Sequence, residues 1–436
     1  MILGASARAL AASAVAAGWS VDAADLFCDL DLLALARRAV MPGRAADREY
    51  PWCLADASRR LTPSAPFTYT GAIENHPDLV AAVTAQRPLA GTDADAIRRL
   101  RHPHSLAAAV RAAGLGFPET RFDPADLPTD GTFLVKPLAG AGGRGIRVWR
   151  GPQPAGTGSR GGDRSAGDAH AAPHDRRPRI WQRRVPGTPI SASYVMSPDR
   201  GRLFGVSRQL LGRRWCHASG FTWCGAVATR GCGGLPGEPR CIDRLTRLGD
   251  VLGQAFGPRG VLGVDLVISP TGGLTVIEVN PRPTASMELF ERLGTLSVAR
   301  AHLAACGFAS PQPEPHRDAA DAHAGAGTWT KAVLFAARPT AVSEELLATL
   351  ASTVAPWTEA DGGWPSLADI PRPGQTIPVA APVVTVFARG AAPREALRRL
   401  RERTAQVDAL LAGHAAPRQP ASLRGDASAA AWAATR

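Results

Sequence analysis

The run Val261-Leu262-Gly263-Val264-Asp265-Leu266-Val267-Ile268-Ser269-Pro270-Thr271-Gly272-Gly273-Leu274-Thr275-Val276-Ile277-Glu278-Val279-Asn280-Pro281-Arg282-Pro283 sets two β-branched segments on either side of a Pro-Thr-Gly-Gly turn. That pattern predicts a β-hairpin. With the turn centred between Thr271 and Gly272, Asp265 falls opposite Glu278, and the two carboxylates share one face with Cβ atoms about 5 Å apart. Like charges so placed repel, and the apolar strands around them exclude the water that would screen them. Something positive must compensate. Asn280, two residues beyond Glu278, projects to the same face and adds a neutral oxygen. Two carboxylates and an amide oxygen are hard ligands, the set that suits Mg²⁺ (or Mn²⁺), an ion that keeps part of its shell for substrate phosphates. The alternative is that both acids face solvent or pair with arginines such as Arg282.

A second stretch complements the first. The chain holds two lysines against 48 arginines, and one of them, Lys136, stands between the apolar run Phe133-Leu134-Val135 and the loop Pro137-Leu138-Ala139-Gly140-Ala141-Gly142-Gly143-Arg144-Gly145. Small residues let backbone N–H groups close on an anion, and a lysine at the loop root supplies a point charge for phosphate oxygens. A glycine-rich hairpin turn with a surface lysine is the plainer reading of the loop alone. The other lysine, Lys331, opens the apolar run Ala332 to Ala336, where a solvent-exposed strand start is expected over a reach toward a ligand.

Net charge of +12 raises the question of nucleic acid. The arginines are scattered through helices, loops and tails with few aromatics between them, which argues against a phosphate-backbone footprint. Seven cysteines without a CxxC pair argue against a disulfide framework and for a reducing, cytoplasmic setting. Cys216, Cys224, Cys232 and Cys241, with His217, are too widely spaced for a structural zinc site. No apolar run is long enough to span a membrane. The apolar start lacks a basic segment before it and is broken by Arg8, so it reads as a strand to Gly4, a helix to about Ala17 and a strand from Val21 to Ala24.

Residues 1–90 alternate strand and helix patterns, including an amphipathic Asp29–Ala39 and an extended Phe67–Ile73, and predict a small parallel α/β domain whose Gly4–Ser6 loop is placed to meet a ligand. Residues 91–308 hold both constellations. A basic helix from about Asp95 ends at Gly114 as a helix C-terminus should. Residues 151–179 read as a disordered insertion, 309–327 as a linker and 413–436 as a disordered tail. Residues 328–412 read as a small closing α+β domain with helices near Ser343–Leu350 and Pro393–Leu411.

On the Val-Lys-Pro and glycine loop, the Gly263-Val264-Asp265 hairpin and its end at Ile277-Glu278-Val279-Asn280-Pro281-Arg282-Pro283, the chain resembles the ATP-grasp superfamily, and within it the biotin-carboxylase-like predicted ATP-dependent carboligases. The opening Met1-Ile2-Leu3-Gly4-Ala5-Ser6 and a moderate match over Ala368–Val386 extend the resemblance to most of the chain. It implies an ATP-grasp fold, two α+β subdomains clasping ATP, between the two flanking domains. It implies that Lys136 contacts the α- and β-phosphates, that Gly140, Gly142, Gly143 and Gly145 belong to a lid over the triphosphate, and that Ile180–Gly187 lines the adenine pocket through Trp181, Gln182, Arg183 and Val185. Asp265, Glu278 and Asn280 would hold magnesium, and Arg282 would face the transferred phosphoryl group or the acyl-phosphate. The implied activity is an ATP-dependent ligase that joins a small-molecule carboxylate to an amine or thiol through an acyl-phosphate, with a homodimer compatible with the family. Bicarbonate activation and silent ATP binding are the alternatives. Many relatives carry a further phosphate-binding lysine before the helix that ends at Gly114; here Arg98, Arg99 and Arg101 stand nearby.

Overall fold

The computed structural model describes residues 1–42, 50–152, 178–230, 238–312 and 327–414. Most of the insertion, the linker and the tail expected at 151–179, 309–327 and 413–436 lies outside them. β1 (Ile2–Gly4), β2 (Asp22–Asp25), β3 (Arg38–Val40) and β4 (Thr68–Tyr69) form a parallel sheet in the order β3-β2-β1-β4. The helix Arg8–Ala16 connects its first two strands as expected. The expected helix Asp29–Ala39 is shorter: it covers Leu30–Leu35, and Arg38 onward returns to the sheet as β3. The strand expected over Phe67–Ile73 keeps only β4, because the chain turns at Ala72, whose φ is +70°, into a short 3₁₀ turn over Ile73–Asn75.

The single basic helix expected before Gly114 is two helices, Ala94–Arg101 and Pro103–Ala112. Pro103 disfavours helical backbone at the residue before it, and His102 is extended, at ψ 117°. β5 (Thr120–Arg121), β6 (Phe133–Pro137), β7 (Arg147–Val148) and β8 (Arg179–Arg183) then make an antiparallel sheet ordered β5-β8-β6-β7. β9 (Thr188–Ser197), β10 (Arg200–Leu211), β11 (Trp223–Thr229), β12 (Gly260–Ile268) and β13 (Leu274–Asn280) begin a larger sheet, packed through Leu245, Leu248 and Leu252 on the helix Glu238–Phe256. β14 (Thr328–Phe335) continues it, so the closing residues 328–412 share its sheet. Beyond β14 come β15 (Thr340–Ala341), β16 (Leu367–Ala368), β17 (Thr376–Ile377) and β18 (Pro382–Gly390). The large sheet runs β13-β12-β9-β10-β11-β14-β18-β16, while β15 and β17 pair separately. The late helices are Glu344–Ala360 and Pro393–Gly413. No described helix is long and apolar enough to cross a membrane.

Lys331 corrects the expectation of an exposed strand start. It is 2% exposed, because β14 lies inside the sheet between β11 and β18. Its Nζ donates to Glu288 Oε2 at 2.9 Å and to the Ala285 carbonyl at 3.1 Å. Arg8, at the start of the first helix, binds Glu288 with both terminal nitrogens and Asp369 through Nε at 3.0 Å, tying the N-terminal domain to the large sheet. Burial raises the proton affinity of Glu288, but Arg8 and then Lys331 outweigh it and hold the carboxyl well below the usual range.

Removing one charge from a buried network leaves its partners uncompensated, at a cost of about 3 kcal/mol or more. Glu288→Gln is therefore expected to lower the urea midpoint by that free energy with an unchanged m value, measured by equilibrium unfolding. A midpoint equal to that of the wild type would refute this role.

Candidate functional site

β12 and β13 pair as the sequence predicts at the carboxylates, with Asp265 opposite Glu278, Val264 opposite Val279 and Gly263 opposite Asn280. The tip differs. Ile268 pairs with Leu274 and Leu266 with Val276, so the register shifts by one residue and Ile277 is the extra residue of a β-bulge. The bulge has a consequence for side-chain direction. Leu274 and Val276 enter the core with Leu262, Val264, Leu266 and Ile268, and unbroken alternation would send Glu278 and Asn280 after them. The extra residue puts Val279 in the core instead and turns Glu278 and Asn280 to the other face, beside Asp265.

That face lines a cavity of about 680 Å³, which lies between the two antiparallel sheets and the N-terminal domain. Asp265 is held by amides: Gln209 Nε2 donates to its Oδ1 at 2.7 Å and Asn280 Nδ2 to its Oδ2 at 3.0 Å. Burial first, and the Glu278 charge second, push the Asp265 carboxyl up to about 7. Burial also raises Glu278, but Lys136, Arg101 and Arg282 together hold it below its ordinary value. One carboxylate of the facing pair keeps its charge easily and the other does not. Two carboxylates meeting beside an amide whose carbonyl oxygen remains available are a donor set that fits a hard divalent cation.

Lys136 sits across the same cavity and is 7% exposed, its Nζ donating to Gln182 Oε1 at 3.1 Å. Burial pulls its proton affinity down and Glu278 opposes this. The alternation of β6 and β8 explains its direction: Leu134, Lys136, Ile180 and Gln182 face the cavity, whereas Phe133 and Trp181 face away. Trp181 thus departs from the expected set. It packs edge-on against Trp149 at 5.7 Å and does not line the cavity. Arg183 borders the cavity, but its guanidinium lies over the Phe133 ring and pairs with Glu119 at 2.8 Å. The backbone N–H groups of Arg183 and Arg184 donate to Glu119 and Thr132, so in the expected base-reading stretch Val185 offers the N–H that carries no hydrogen bond among the described residues.

Gly140, Gly142 and Gly143 line the cavity, while Gly145 lies just outside it. Gly143 has a φ of +73°, and a Cβ there would sit 2.0 Å from the Phe221 carbonyl oxygen, so the loop can approach β11 only as glycine. The Trp223 N–H donates to the Gly142 carbonyl at 2.9 Å and closes that side. Arg282 pairs with Glu74 at 2.8 Å, not with the facing carboxylates. Of the three arginines preceding Gly114, Arg98 binds Asp78 and Asp95, and Arg99 binds the Ala255 and Phe256 carbonyls. Arg101 alone of these reaches the cavity, with Nη1 3.9 Å from Glu278 Oε2. Sequence reading missed Gln209 and Glu74, and neither carries a signal in the sequence: Gln209 follows Ser207 and Arg208 in a strand of mixed polarity. Cys216 and Cys224 pack in one core and Cys241 in another, and Cys232 lies outside the described residues.

Residues 104–286 match the family model of an ATP-grasp domain. The chain therefore carries an ATP-grasp domain, flanked on both sides by further residues of the same architecture. Three solved structures show how far that architecture extends. A biotin carboxylase from Campylobacter jejuni, in complex with β,γ-ATP, superposes with a TM-score of 0.59 at 12% identity, over 91% of this chain and 89% of that one. A carboxyaminoimidazole ribonucleotide synthase from Aspergillus clavatus complexed with ATP gives 0.61 at 13% identity, over 94% and 98%. The biotin carboxylase domain of the Hydrogenobacter thermophilus 2-oxoglutarate carboxylase, with MgADP and bicarbonate, gives 0.60 at 11%, over 92% and 88%. At such identities the likeness establishes the fold: a biotin-carboxylase-like ATP-grasp architecture with its N-terminal parallel sheet. No curated protein sequence matches the chain significantly.

The raised Asp265 pKa carries a sign. Between 3.8 and about 7 the folded chain keeps a proton that the unfolded chain has released, so this contribution to stability is full below the lower value and lost as pH rises through the upper one. In metal-free buffer Asp265→Asn should melt above the wild type by roughly 1–3 °C at pH 8, and the difference should be clearly smaller at pH 5. Calorimetry checks this, and an equal difference at both pH values would contradict it.

Proposed function

We propose that the chain is an ATP-dependent ligase that activates a small-molecule carboxylate as an acyl-phosphate and passes the acyl group to an amine or thiol. The observation that carries the reading is the bulged hairpin that brings Asp265, Glu278 and Asn280 together in the cavity entered by Lys136 and the glycine loop. The functional units are taken as 1–90, 91–308 and 328–412. Lys136 and the backbone N–H groups of Gly140, Gly142 and Gly143 bind the triphosphate, and the Lys136 ammonium offsets charge that grows on its oxygens. The base lies against the apolar walls Phe117, Leu134 and Ile180, with the Val185 N–H on its edge. Asp265, Glu278 and the Asn280 carbonyl oxygen would hold Mg²⁺, which would supply neutralisation of the triphosphate charge when bound. Arg282, fixed by Glu74, orients the acceptor carboxylate.

A carboxylate oxygen attacks the terminal phosphorus in line, the bond to the bridging oxygen breaks, and ADP leaves. The nucleophile then attacks the acyl carbon, loses its proton and displaces phosphate. Positioning and electrostatics do this work, so no protein nucleophile is needed. Arg101, which reaches Glu278, supplies positive charge on the side where many relatives hold their further lysine.

With Mg-ATP, a panel of carboxylic acids and hydroxylamine, the protein should release ADP and form a hydroxamate with its own acid. Lys136→Ala should lower kcat/KM by about 100-fold or more. ADP release that depends on bicarbonate alone would move the reading to carboxyphosphate chemistry, and neither ADP nor hydroxamate across the panel would refute it.

A further inference from the structure

The cavity has two walls that belong to different parts of the chain. One is the glycine loop 138–145, the other the hairpin with Asp265 and Glu278. The short turn Ile73–Asn75 of the N-terminal domain touches both. We propose that Asn75 is a positioning residue that latches the glycine loop to the carboxylate wall, and that through it the N-terminal domain sets how far the loop stays closed.

A chain of contacts carries this. The Asn75 Nδ2 donates to the Gly140 carbonyl at 3.1 Å. Its Oδ1 accepts from Arg101 Nη2 at 2.6 Å, and the Nη1 of that guanidinium donates to the Val279 carbonyl at 3.3 Å and lies 3.9 Å from Glu278. The preceding residue, Glu74, is 2% exposed and pairs with Arg282 at 2.8 Å. One amide thus uses its donor on the loop and its acceptor on the hairpin side, and a neighbouring acid anchors the turn to the hairpin end. Tyr69, on the strand leading into the turn, adds a hydrogen bond from its hydroxyl to the Pro281 carbonyl at 3.1 Å. The turn is fixed before it meets the loop.

The loop is also held on the side of the large sheet. The Trp223 N–H grips Gly142 from the opposite side, the Leu138 N–H donates to the Pro178 carbonyl at 2.8 Å, and the Arg144 guanidinium lies 5.9 Å from the centre of the Phe335 ring. Asn75 ties the loop to the N-terminal domain, so its loss changes how often the loop opens. The proposal rests on the ligase reading for its consequence in turnover, but the latch itself is a property of the nucleotide-free protein.

Asn75→Asp separates the two halves of the contact. The aspartate keeps an acceptor for Arg101 and loses the donor to Gly140. Hydrogen–deuterium exchange of the full chain without nucleotide should show amides 138–146 exchanging roughly two- to ten-fold faster in Asn75→Asp and in Asn75→Ala, the range expected for one hydrogen bond. Peptides from β12 and β13 should be unchanged and serve as the folding control. Loop exchange in Asn75→Asp equal to that of the wild type would overturn the latch. Adding Mg-ATP then tests the ligase reading separately. If the latch serves nucleotide, the variant should regain loop protection at saturating Mg-ATP, with a raised KM for ATP and a kcat closer to that of the wild type. A kcat loss with unchanged KM would overturn this functional role even where apo exchange has changed.

Discussion

One extra residue, Ile277, decides what the hairpin can do. Strand alternation binds every second side chain of β13 to the core, and Leu274 and Val276 obey it. Had the rule continued, Glu278 would lie beneath the sheet among leucines, where an unpaired carboxylate is prohibitively costly. The bulge resets the parity, sends Val279 inward and delivers Glu278 and Asn280 to the cavity beside Asp265. The arrangement then creates its own demand, because two facing carboxylates in a partly dry cavity need positive charge. Lys136 and Arg101 supply it from two different elements, and a divalent cation would supply more.

The two lysines of an arginine-rich chain both end up buried in the wall of this cavity. Their partners explain why a compact ammonium suits each place. Lys136 reaches one amide oxygen from the middle of a strand, and Lys331 fits between the Glu288 carboxylate and a carbonyl oxygen, over the Phe387 ring. A planar guanidinium with five donors is harder to satisfy in either space. Lys331 serves the charge network that joins Arg8 of the N-terminal domain to Glu288 and Asp369, so the cavity has a catalytic candidate at one end and a structural tie at the other.

Much of the fold was legible because its signals are local. The Pro-Thr-Gly-Gly turn, the acid spacing and the Val-Lys-Pro loop fix short-range geometry, and the pairing of Asp265 with Glu278 follows from them. The one-residue slip at the tip was not legible, since it depends on which apolar residues the helix Glu238–Phe256 accepts. Trp181 was assigned to the cavity from the resemblance alone; counting alternate residues from Lys136 across the β6 and β8 pairing would have sent it outward. Gln209, Glu74 and Asn75 were invisible for a different reason. None has a motif around it, and each is brought to the site by contacts between residues tens to hundreds of positions apart.

On the proposed function, the bulged hairpin and Lys136 bind one metal–nucleotide unit together. Titration of Mn²⁺ by electron paramagnetic resonance, with and without a non-hydrolysable ATP analogue, tests it most directly. Metal and nucleotide should each tighten the binding of the other, by the same factor as linkage requires, and Glu278→Gln should abolish this coupling. Nucleotide binding that ignores the metal, or coupling that survives in Glu278→Gln, would contradict it.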